Sequence, residues 1–197
     1  RYKYDTRDVY IDPTKGLLMN FKINNYYGMS GTQSIYQFEF NGNYYKSLTN
    51  SFPNPVLHYQ CNIYFQTSND NIPLFHKKYL GGYKLVKGYS SVPSQNGEHS
   101  YKIEVDNFIY HSITLQSTII PRDVSFSLLG KEIEIGTDFR LFIDYGIGAE
   151  QREQFDINDN ILGYGIGSTF FIGGGEINID LAFNQSSEFR IHFYGSE

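Results

Sequence analysis

Among residues able to do chemistry, the carboxylates Glu104, Asp106 and Asp144 come first. Two carboxylates can act as acid and base, but a hydrolase also needs a nucleophile beside an oriented base. No Ser/His/Asp spacing stands out and no G-x-S-x-G occurs, so an enzyme is not expected. The histidines, His58, His76, His99, His111 and His192, show neither H-x-H nor i, i+4 spacing, and they read as polar lining rather than metal ligands. Asp156-Ile157-Asn158-Asp159-Asn160 is oxygen-rich like a calcium loop, yet it lacks the central Gly and terminal Glu. It reads as an external loop. Gly173-Gly174-Gly175 joins two strand patterns and reads as a turn, not a phosphate cradle. A lone Cys61 excludes an intrachain disulfide and a Cys-based zinc site. No cofactor is expected.

Charge narrows the partners. The net charge is −5, and the densest cationic stretch, His76-Lys77-Lys78 with Lys84 and Lys87, is thin. Nucleic acid is therefore not an expected partner. The polar residues must instead be placed by the elements that carry them.

Those elements alternate with the period of a two-faced strand. Leu17, Met19, Phe21 and Ile23 share one face, as do Tyr36, Phe38 and Phe40. Leu57, Tyr59, Cys61, Ile63 and Phe65 form the next set, and Tyr101, Ile103 and Val105 another. Phe139, Leu141, Ile143, Tyr145 and Ile147 are followed by Leu162, Tyr164, Ile166, Ser168, Phe170 and Ile172. Ile177, Ile179, Leu181 and Phe183, then Phe189, Ile191 and Phe193, complete eight strands. Each is near the roughly 9–11 residues that cross a bilayer obliquely. Residues 1–12 read as a lead-in or partial strand. Residues 70–99 form one long loop, and Ile119-Ile120-Pro121 is expected to break any strand between 110 and 132.

Alternation alone does not say which face points inward, but composition does. Aromatic residues make up 17 % of the chain and charged residues only 19 %, below the roughly 25 % of ordinary globular domains. Mean hydropathy is −0.40, and no run of about 18 apolar residues offers a spanning helix. The polar face carries Lys22, Glu39, His58, Gln60, Glu104, Asp144, Asp180, Arg190 and His192 among Gly and Asn. A water-facing surface usually holds more Lys and Glu. The expected fold is an all-β, antiparallel transmembrane β-barrel of about eight strands, apolar side to lipid and polar side to the lumen. It occupies residues 1–197 as a single domain.

Within the long loop, Gly81-Gly82 followed by Val86-Lys87-Gly88-Tyr89 resembles the loop motif of the BamA-type outer-membrane assembly superfamily, which includes the two-partner secretion transporters. Asp5-Thr6-Arg7-Asp8 before Pro13 and Gly16 is similar to that family's Asp-x-Arg-Asp segment and turn. Phe142-Ile143-Asp144-Tyr145-Gly146 looks like its aromatic-x-Asp-x-Gly strand, and Arg190 to Gly195 resembles its closing strand. The resemblance implies a loop folded into the lumen, with Lys87 in the place of an arginine and Glu104 and Asp144 as its acidic partners on the wall. Lys cannot make Arg's planar bidentate contact. The resemblance also implies outer-membrane lipids and client outer-membrane proteins as partners, and a role in inserting or transporting proteins or lipids in a diderm bacterium. The eight-strand count points to a short member without POTRA domains. So small a barrel is filled by side chains, so a dimer, or a seam open at the strand carrying Phe189, Ile191 and Phe193, is expected to make room for the loop. The alternative is a structural or lipid-binding barrel.

Overall fold

The computed structural model describes residues 1–10, 12–27, 34–68, 72–91, 104–128, 131–150 and 155–195. They form one antiparallel sheet of nine strands and one small two-stranded sheet. In chain order the strands are β1 (Tyr2–Asp5), β2 (Lys15–Tyr27), β3 (Ser34–Ser47), β4 (Val56–Ser68), β5 (Lys78–Tyr79), β6 (Glu104–Val105), β7 (Asn107–Leu128), β8 (Lys131–Ala149), β9 (Asn160–Ile172), β10 (Gly175–Asn184) and β11 (Phe189–Gly195). In the large sheet each strand pairs with its sequence neighbour, except that β4 pairs with β7. The excursion between them carries a short 3-10 turn at Leu74–His76 and the β5–β6 pair.

The burial pattern is inside-out for a soluble protein. On β8, Asp144 is 0 % exposed while Ile143 beside it is 56 % exposed. Asp180, Asn178 and Ser112 are likewise buried, whereas Ile23, Ile113, Ile166 and Phe193 face outward. An apolar exterior around a polar interior is the arrangement of a barrel whose outer solvent is lipid. The wall curls so that parts distant in the sheet meet. The β1–β2 turn reaches β7, with Gln116 Nε2 donating to Asp12 Oδ1 at 2.8 Å. β2 and β7 are three strands apart, roughly 14 Å on a flat sheet. Among the described residues, β1 and β11 are the two edges and do not pair with each other. Phe189, Ile191 and Phe193 stand exposed on the outer face of the β11 edge.

Two expectations about strands need correction. The crossing strand after the long loop is β7, not residues 101–106. Among the described residues of that segment, Glu104 and Val105 are strand, and they pair with Tyr79 and Lys78 in the small sheet. Residues 101–103 lie outside the described residues, as do 70, 71 and 92–99 of the long loop. Nor does Ile119-Ile120-Pro121 end a strand. β7 runs through it, with register shifts between Thr118 and Ile120 and between Ile120 and Val124. A proline is tolerated at such an irregularity and on an edge lacking a ladder partner. β4 offers partners only as far as Gln116, so Pro121 removes no donor that the sheet needs. The lead-in at residues 1–12 contains the four-residue β1, paired with Leu18–Phe21 of β2.

Candidate functional site: a loop bound inside the barrel

The described part of the long loop makes its own turn before it meets the wall. Val86 N donates to Leu80 O at 2.9 Å and Gly82 N to Val86 O at 3.2 Å. Leu80, Val86 and Tyr89 then bury against Tyr64, Val105, Phe108, Tyr110 and Ile161. This is a small apolar core placed inside an otherwise polar lumen.

Close seating requires missing side chains on both surfaces. Gly88 has φ +90°, and a Cβ there would stand 2.7 Å from the Phe183 backbone on β10. On β9 a Cβ at Gly163 would overlap the carbonyl oxygen of Lys87. Gly146 on β8 faces Val86 and Leu80 in the same way. Gly163 thus leaves room for the loop backbone, whereas Gly165 and Gly167 on the same face of β9 meet Leu181, Phe142 and Asp180 of the wall.

Lys87 fixes the register. Its Nζ lies 3.2 Å from Asp144 Oδ2, and its backbone N–H donates to the same oxygen at 3.1 Å. Ser112 Oγ donates to Asp144 Oδ1 at 2.7 Å and the Tyr110 hydroxyl at 3.2 Å. The Lys87 ammonium also sits 4.2 Å from the centre of the Phe142 ring. A fully buried carboxylate therefore meets one cation and three neutral donors, as a buried charge must. Lys supplies a point charge where Arg would supply a fork, and the backbone N–H takes up the second bonding direction.

Glu104 does not join this pair. It lies on β6, off the wall, with its carboxylate 3.7 Å from Lys77 Nζ. Lys77 also approaches Glu150 at 3.5 Å. The expectation that Glu104 meets Lys87 fails because the wall strand begins only at Asn107. Of the other loop residues, Gly81 bridges Val86 across the turn, Gly82 has φ +105°, and Tyr89 is buried.

The loop and lumen also hold the β11 edge from within, which the sequence reading missed. Tyr83 stacks on Tyr194 of β11 with ring centres 4.7 Å apart, and Gly88 N donates to His192 Nε2 at 3.4 Å. Arg140 on β8 donates to Asp180 Oδ1 on β10 at 2.7 Å, and the Tyr194 hydroxyl donates to Asp180 Oδ2 at 2.7 Å. A polar cavity of about 570 Å³ remains between the two flanks, lined by Gln60, Asn62, Tyr83, Arg140, Asn178 and Tyr194 among others.

The opposite lumen end has its own contact. Asp12 Oδ2 is 3.2 Å from Arg122 Nη2, whose guanidinium lies over the Phe171 ring. Burial pushes the Asp12 carboxyl above its ordinary range, against the pull of Arg122 and Gln116. Arg122 lies in the stretch whose strand was not read, so only the turn chemistry around Asp12-Pro13 could have drawn attention to this end.

Chemically, this arrangement is a positioning device. Its charges neutralise one another and its apolar residues pack. Among the described residues no group of three His, Cys, Asp or Glu side chains is placed to hold a metal.

An inside-out antiparallel wall holding a glycine-seated loop in its lumen defines a transmembrane β-barrel. The Omp85 superfamily domain model matches residues 1–196, and the chain belongs to that superfamily. A comparison with curated proteins gives no significant match.

Proposed function

We propose that this protein is a non-enzymatic component of a diderm bacterial outer membrane that helps other barrel proteins insert or cross. The observation that carries the reading is that β1 and β11 pair with no further strand among the described residues, beside an internally tethered loop. An exposed strand edge presents a row of unused N–H and C=O groups that can template an incoming strand. β1 pairs with Leu18–Phe21 of β2, and its own outer side is the ladder edge at this end of the sheet among the described residues. At the other edge, Phe189, Ile191 and Phe193 offer an apolar outer face. The loop keeps the lumen filled while the edges are open. Lipids contact the exterior, and client outer-membrane proteins contact the edges.

The same edges favour a second reading, a structural barrel in which a second copy covers β11. In mild detergent, mass measurement distinguishes a dimer from a monomer. The test of the first reading is folding of an urea-unfolded barrel client into liposomes, with and without this protein reconstituted. Acceleration of client folding supports it. No acceleration, with the protein itself shown folded, rejects it and leaves the structural barrel.

A further inference from the structure

We propose that Lys15 and Lys46 form a binding site for the phosphodiester of an anionic glycerophospholipid on the outer rim of the barrel. The inference rests on the lipid-facing reading of the exterior.

The two lysines are directly opposite in the β2–β3 register, and both are exposed. Their positions share the outer face with Leu17 and Tyr44, the next outward-facing pair along the same two strands. Directly opposed residues have Cβ atoms about 5 Å apart, and like charges placed there destabilise a sheet. Among the described residues neither ammonium has a carboxylate within ion-pair distance, although Lys3, Lys22, Lys77 and Lys87 each have one. Among the described residues, then, nothing relieves the repulsion, and an external anion would. The chain as a whole is acidic, with net charge −5, so the pair is not part of a general basic field.

Depth fixes the kind of anion. Leu17 and Tyr44 lie two residues along the strands from the lysines, about 7 Å, and Tyr44 pairs with Tyr59 on β4. β2 begins at Lys15 and β3 ends at Ser47, so the lysines stand where the apolar band stops. Beyond them, the β3–β4 turn exposes Leu48 and Phe52. An anion held here has hydrocarbon contacts on one side and an interfacial turn on the other. A phospholipid supplies both parts: two unesterified phosphate oxygens for two ammonium groups, and acyl chains for Leu17, Tyr44 and Tyr59. Lysines at this level reach the headgroup layer while their stems stay on apolar surface. The preference is for lipids of net negative charge, because a choline or ethanolamine headgroup already carries its own cation.

The absence of Trp gives a clean test. Tyr44→Trp places a single reporter on the outer face beside the lysines, and Ile143→Trp places one on the exposed wall of β8. Each is reconstituted in bilayers in which either phosphatidylglycerol or phosphatidylcholine carries brominated chains. Quenching then gives the relative affinity of the two lipids at the reporter. Removing one lysine near a membrane surface is worth about fivefold in the affinity of an anionic lipid. The expected result is a phosphatidylglycerol preference of at least about fivefold at Tyr44→Trp, falling to near one in Lys15→Gln/Lys46→Gln, and near one at Ile143→Trp throughout. A preference near one at Tyr44→Trp, or one that survives the Gln substitutions, overturns the proposal. So does loss of the preference on adding inorganic phosphate at constant ionic strength, which shows a site for the free ion instead. Quenching of neither reporter by either lipid rejects the lipid-facing exterior itself, a different failure. Should the double variant not fold, Lys46→Gln alone carries the same test with the smaller ratio.

Discussion

Removing the Lys87 side chain should release the internal loop without unfolding the wall. Asp144 is 0 % exposed and receives Lys87 Nζ, Lys87 N, Tyr110 and Ser112. Lys87→Ala deletes the only charged donor of these four. Breaking a buried pair typically costs about 3–5 kcal/mol because the remaining charge is left uncompensated. Three neutral donors persist in the variant, which places the cost at the lower end, about 3 kcal/mol. A cost of that size raises the population of the opened loop by roughly 100-fold. The assay is amide hydrogen exchange over Leu80–Tyr89, with limited proteolysis in parallel, on protein folded in detergent. Protection in β3 and β9 serves as the internal control. Lys87→Arg keeps the charge and should retain most of the protection. In a double-mutant cycle with Asp144→Asn, the two losses should fall short of additivity by more than 1 kcal/mol, since residues sharing one ion pair couple. Unchanged exchange in Lys87→Ala, or strictly additive losses, would refute the reasoning.

Gly163→Ala should also raise loop exchange, because its Cβ overlaps the Lys87 carbonyl oxygen, while leaving the β9 ladder protected. Arg140→Ala leaves the fully buried Asp180 with Tyr194 but no cation and should speed exchange in β11 well above that in β3; equal effects on both strands would contradict the internal tether. The Asp12 carboxyl is raised by burial above its ordinary value of 3.8, so between that value and the raised one the folded state binds more protons than the unfolded. The Asp12 contribution to stability of the β1–β2 turn is therefore greatest below 3.8 and declines as pH rises through the raised value; Asp8, which accepts the Thr14 and Lys15 amides and whose carboxyl is held below its ordinary range, contributes in the opposite sense, so the Asp12 part is read as the change in exchange of those amides that Asp12→Asn removes.

Legibility in the sequence followed how local each cause was. β3, β4, β8, β9 and β10 could be read directly because each keeps strict alternation over a wall that has lipid on one side and polar lumen on the other. β7 could not, since Pro121 acts as a breaker only where a ladder partner waits; that β4 ends its pairing at Gln116 and that the β8 register skips Pro121 are properties of the whole sheet. The Lys87–Asp144 contact could be anticipated through the loop motif and the lumen-facing parity of Asp144. Glu104 had the right chemistry, yet its role depended on where the wall strand starts, three residues later at Asn107. The ties from Tyr83 to Tyr194 and from Asp12 to Gln116 and Arg122 join segments far apart in the chain. They follow from curvature of the sheet, which no local pattern encodes. At Gly163 the Lys87 carbonyl oxygen occupies the space a Cβ would take, a contact that no pattern within β9 announces.

The central claim is that the open edges, not the wall, receive a client strand. The direct measurement is photo-cross-linking from single reactive residues placed at Ile23 on β2 beside the β1 edge, at Ile191 on β11 and at Ile143 in the middle of the β8 wall, during folding of a barrel client. All three positions are exposed on the outer face, so exposure alone does not separate them. The account predicts client adducts at Ile23 and Ile191 and none above background at Ile143. Adducts of equal yield at all three, or at Ile143 alone, would contradict it.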